Sequence, residues 1–83
     1  MNILLIQTIF NTDIVEQVGN KQLYIATLEN NRTVLISYKT IVGVIRDGIW
    51  NLTTFKYSKT TSKQLYSFAK SLPANQVIWS DDV

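Results

Sequence analysis

Apolar and polar residues alternate through the middle of this chain and shift to a helical spacing towards its end. Gln22 to Leu28 sets Leu23, Ile25 and Thr27 against Tyr24, Ala26 and Leu28, the two-residue period of a strand. Glu29-Asn30-Asn31-Arg32 is a polar turn, and Thr33 to Tyr38 returns as the second strand of a hairpin. Thr40 to Arg46 follows, rich in Ile and Val. Gly43 interrupts its apolar face, which marks a bulge, a bend or the close approach of another backbone. Asp47-Gly48 is a two-residue type I′ turn signal, and Ile49 to Tyr57 then reads as one long strand. At the front, Ile3 to Phe10 is a dense apolar run whose shortness and β-branched content favour a buried strand. Ile14, Val15 and Val18 suggest a further short strand before the Gly19-Asn20 turn.

After Tyr57 the period changes. Leu65, Phe68, Ala69 and Leu72 recur at i, i+3, i+4 and i+7, an apolar helix stripe. Thr61-Ser62-Lys63-Gln64 fits a capping box, with Thr61 as N-cap and Gln64 reaching back. Pro73 stops the helix, Gln76 to Trp79 gives a last short strand or packed tail, and Ser80 to Val83 frays. A helix this short is marginal alone in water, so it must pack on a sheet. The expectation is a single α+β domain over residues 1–83. It has two layers: an antiparallel sheet of about five strands and one helix (about residues 62–72) packed on one face.

Composition narrows the function. Charged residues are 17% of the chain, below the usual quarter, so part of the surface is uncharged or apolar. That predicts a symmetric homodimer, formed through a sheet edge or an apolar sheet face. The net charge of +2 is too small for a dedicated nucleic-acid binder, yet Lys56, Lys59, Lys63 and Lys70 share a stretch without acids. The absence of His and Cys removes the usual general base, thiolate metal sites and His-based triads. A Ser/Lys pair can be written from Ser62 and Lys59, as in any stretch rich in both. With three glycines in all there is no phosphate-cradling loop. The chain is expected to be no enzyme and to need no cofactor or metal. The apolar start lacks a basic n-region, and no apolar run is long enough to span a membrane.

The stretch Tyr57-Ser58-Lys59-Thr60-Thr61-Ser62-Lys63-Gln64 holds five hydroxyls and two lysines at the strand-to-helix change. Together with Ser37-Tyr38-Lys39-Thr40-Ile41-Val42-Gly43-Val44 it resembles a group of small bacteriophage domains of uncharacterised role. Their pattern looks like Ser-Tyr-x-Thr-x-Val-Ala, then a strand, then Tyr-Ser-x-Thr-Thr-Ser-Lys-His. The likeness covers about Val34 to Leu72, with Gln64 in place of the His and Gly43 in place of the Ala. It implies a viral origin, hence residence in a host cytoplasm, and no defined activity.

Two binding expectations follow. In the first, a virus-encoded inhibitor or adaptor docks on a host defence or nucleic-acid-processing complex, using exposed aromatics such as Trp50, Tyr57, Tyr66 and Trp79. In the second, the chain binds DNA or RNA weakly, with lysines on phosphates and Tyr57 or Trp50 stacked on bases. The candidate partner-binding residues are Lys56, Tyr57, Lys59, Thr60, Lys63 and Trp50.

Overall fold

The computed structural model describes residues 3–83; Met1 and Asn2, which begin the apolar start, lie outside the described residues. The order is α1 (Ile3–Phe10), β1 (Val15–Gln17), β2 (Leu23–Thr27), β3 (Thr33–Ser37), β4 (Thr40–Arg46), β5 (Ile49–Thr53), α2 (Lys59–Lys70) and β6 (Val77–Ser80). The fold is α+β, as expected, with six strands in one sheet in the order of the chain. Strands β1 to β5 form an antiparallel meander. Strand β6 is parallel to β5, because α2 carries the chain back along the sheet between them.

The first apolar run is a helix, which corrects the strand expected there. A short apolar run has no period to distinguish the two forms. The missed signal is Asn11. It takes the left-handed conformation (φ 51°), and the Thr12 amide donates to the Gln7 carbonyl at 3.1 Å, closing the helix in a Schellman turn.

This helix adds a third layer. Ile6 packs on Tyr24, Ala26, Val34, Ile36 and Val44. Leu65 and Phe68 of α2 pack on Leu23, Leu35, Val42, Trp50 and Leu52. Since Leu23 and Tyr24, or Leu35 and Ile36, are consecutive in a strand, the two clusters lie on opposite sheet faces. Each face therefore carries a helix. Beside the sheet edges, α1 leaves Leu4, Leu5 and Ile9 exposed on its outer side.

The turns follow the sequence. Asp47 (φ 53°) and Gly48 (φ 78°) both have positive φ, as a type I′ hairpin requires. At Gly43 the structure supplies both a bulge and a close approach. Leu35 faces Gly43 and Ile36 faces Ile41, so Val42 is the additional residue. A Cβ at Gly43 would lie 2.8 Å from Leu52 Cδ2 and 3.2 Å from Leu35 Cβ.

Strand β5 ends at Thr53, four residues earlier than expected. The Thr54 amide makes a last bond to the Ser80 carbonyl, and the Thr53 hydroxyl then accepts from the Phe55 amide. That local bond turns the chain out of the sheet. The tail does not fray as a free end: Val83 packs beneath the sheet and the Arg46 guanidinium donates to the Asp82 carbonyl at 2.8 Å.

Candidate functional site: a lysine and aromatic groove

Helix α2 starts three residues earlier than its apolar stripe suggests. Ser58, not Thr61, is the N-cap: its hydroxyl accepts from the Thr61 amide at 3.1 Å. Thr61 and Gln64 instead extend the buried stripe, giving Thr61, Gln64, Leu65 and Phe68 at i, i+3, i+4 and i+7. The Ser37 hydroxyl donates to Gln64 Oε1 at 2.7 Å and lies 3.1 Å from Thr61 Oγ1. Gln64 therefore ties α2 to β3 and does not reach back to the cap.

This rotation decides what the rest of α2 presents. With Thr61 and Gln64 facing the sheet, Lys59, Lys63 and Tyr66 fall on an exposed flank at i, i+4 and i+7. Across from that flank stand the 54–58 connection and Trp79 of β6. Between them is a groove of about 780 Å³, lined by Thr53, Thr54, Phe55, Lys56, Ser58, Lys59, Ser62, Lys63, Leu65, Tyr66 and Trp79. It lies where β5 leaves the sheet and α2 begins, the end of a parallel βαβ unit at which open sheets place ligands.

Its walls are aromatic. Tyr66 and Trp79 pack with ring centroids 5.1 Å apart, and Phe55 and Tyr57 at 4.5 Å. All four rings are substantially exposed. The lining contains three lysines and no carboxylate, so its charge is of one sign. The nearby Asp81 carboxylate is engaged by the Thr54 hydroxyl.

The sequence candidates divide as follows. Lys56, Lys59 and Lys63 converge on the groove, and Tyr57 stands beside it against Phe55. Thr60 faces a separate shallow depression with Lys21, Gln22 and Tyr38, which touches the groove only through Lys63. Trp50 does not belong to an exposed surface: it is 8% exposed and packs edge-to-face on Phe68 at 5.3 Å. Its place on the strand face that also carries Leu52 gave the signal for burial. Phe55, Tyr66 and Trp79 complete the site; Tyr66 and Trp79 were expected only as exposed aromatics of a docking surface, and Phe55 was not singled out. Tyr66 is legible as the polar-flank neighbour of Lys59 and Lys63. Trp79 is not, because only the parallel return of β6 brings it to the helix.

Among the described residues, no group of three or more acidic side chains is gathered as a metal site, and no helix is long and apolar enough to cross a membrane. The chain belongs to DUF8033, a family of unknown function. The match runs over residues 8–82, nearly the whole chain. No curated protein and no solved structure matches it.

Proposed function

We propose that this DUF8033 chain is a small virus-encoded, non-enzymatic interaction module that uses the lysine and aromatic groove as its docking surface. Its target in this reading is a host defence or nucleic-acid-processing complex, met in the host cytoplasm, on which it acts as an inhibitor or adaptor. The observation that carries the binding role is the groove's composition. Three lysines, the exposed rings of Phe55, Tyr66 and Trp79 with Tyr57 beside them, and the hydroxyl-bearing Thr53, Thr54, Ser58 and Ser62 suit the holding of an anionic partner. The lining has no carboxylate and the chain has no His or Cys, so the groove offers little to accept a proton at neutral pH. The viral and host parts of the proposal rest on the resemblance of Tyr57 to Lys63 and Ser37 to Val44 to phage domains.

Self-association is part of the same proposal. Leu4, Leu5 and Ile9 form an uncharged outer side of α1, and Ile14 is exposed just beyond it. A homodimer is expected to place such aliphatic surface at its interface.

The test of the docking role is capture by tagged protein from host lysate, with and without nuclease, using wild type and the Lys59→Glu/Lys63→Glu variant. The proposal expects a discrete partner that the variant loses. Equal capture by both proteins would remove the groove from the account.

A further inference from the structure

We infer that the groove takes single-stranded nucleic acid, with bases on the Tyr66–Trp79 and Phe55–Tyr57 rings and phosphates on Lys56, Lys59 and Lys63. The inference rests on the docking role proposed above and names its occupant. Three observations favour this polymer. The first is placement of charge: three lysines line one groove that contains no carboxylate. A polyanion there meets three cations, with the neighbouring Asp81 carboxylate outside the lining and held by the Thr54 hydroxyl.

The second is the rings. Phe55 is 63% exposed, Tyr66 59%, Tyr57 48% and Trp79 42%, whereas Trp50 is closed into the core. Accessible π faces beside lysines form the stacking platforms by which proteins hold unpaired bases. An acidic peptide would satisfy the ammonium groups but has no general use for two pairs of flat surfaces. The third is shape. The groove is a cleft between a helix, an irregular connection and an edge strand, and the rings that line it, Phe55, Tyr66 and Trp79, are exposed. Stacking on a ring requires a base that is not already paired and stacked.

The chemistry sets affinity and selectivity. There is no arginine in the lining, so no rigid fork reads a base edge, and recognition does not depend on sequence. Three phosphate contacts on a single strand weaken about 20-fold between roughly 50 and 200 mM salt. Among the Thr54, Ser58 and Ser62 hydroxyls of the lining, Thr54 donates to Asp81 and Ser58 to Thr61, which leaves Ser62 to donate to a sugar or phosphate oxygen.

The experiment uses the purified full chain with oligothymidine and oligouridine of about 12 nucleotides, a length within the range that small modules cover. The chain's two tryptophans make it direct, since Trp79 is in the groove and Trp50 is not. Either oligonucleotide should quench tryptophan fluorescence, and Trp79→Phe should abolish the quench. Lys59→Glu/Lys63→Glu should weaken binding tenfold or more. Arg32→Glu/Lys39→Glu, an equal charge change on exposed residues outside the groove, should weaken it less than threefold. Neither oligonucleotide binding at about 100 µM in low salt, the upper range of non-specific affinity, would overturn the inference. Equal loss in the two charge-reversed variants would also overturn it. So would an oligoglutamate peptide quenching Trp79 as strongly, which would assign the groove to an acidic protein segment. If the oligonucleotides fail while lysate capture still depends on Lys59 and Lys63, the docking role stands and only this occupant falls.

Discussion

Ser37→Ala should be among the more destabilising single-atom deletions in this protein. Ser37 is 2% exposed and stands between Thr61 and Gln64, both buried. Its one hydroxyl proton goes to Gln64 Oε1, the shortest of its contacts, so the Thr61 hydroxyl donates to Ser37. Thr61 Oγ1 in turn accepts from the Ser58 hydroxyl. The chain of donors runs Ser58 to Thr61 to Ser37 to Gln64 and joins the helix cap to the sheet. Removing Ser37 Oγ leaves a buried amide oxygen without its donor and a buried hydroxyl without its acceptor. An orphaned buried polar group costs about 1–3 kcal/mol, so allowing for relaxation the change should cost about 2–3 kcal/mol. A domain of this size has only about 4–12 kcal/mol in total. With a urea slope near 1 kcal/mol per molar, the midpoint falls by about 2 M. Gln64→Leu should cost less, since the Ser37 hydroxyl can then turn to Thr61 Oγ1. The Ser37→Ala/Gln64→Leu protein should be more stable than the sum of its parts by about 1 kcal/mol or more, because the orphaned amide is gone. A Ser37→Ala cost below about 0.5 kcal/mol, or strict additivity in the double variant, would refute the donor chain.

Ser58→Ala should cost about 1 kcal/mol in chemical denaturation as the N-cap, while Thr60→Ala, on the exposed side of the first turn, stays within about 0.5 kcal/mol. Gly43→Val should cost about 2–3 kcal/mol, because its side chain meets Leu52 and Leu35 in a filled interior; a neutral result would mean that the bulge relaxes freely. Trp50→Ala should lose about 3–5 kcal/mol and show as a collapsed thermal midpoint, as expected of a core ring packed on Phe68 and not of a surface one. Light scattering at micromolar concentration should report twice the 9.5 kDa chain mass, and Leu5→Lys should return it to a monomer.

The meander was legible because strands β2 to β5 alternate with period two and are punctuated by Asp47-Gly48 and Glu29 to Arg32, whose chemistry forces a turn. The body of α2 was legible from Leu65, Phe68 and Leu72, and the lysine stretch from its lack of acids. The start of α2 was not, because Thr61 and Gln64 are polar yet buried, and a polar residue's burial depends on a distant partner, here Ser37. The first apolar run stayed ambiguous for a related reason. Ile3 to Phe10 is apolar almost throughout, so only its position against the second face of the sheet, and the left-handed Asn11, make it a helix. Trp50 and Trp79 illustrate the same division. They have the same side chain and both lie on strands. Trp50 is covered by α2, while Trp79 sits on an edge strand at the mouth of the groove. Periodicity is a property of neighbouring residues and can be read locally. Which face is covered, and which residues far apart in the chain line one groove, depends on how the layers close, and that is settled only when the helix crosses and β6 returns parallel to β5.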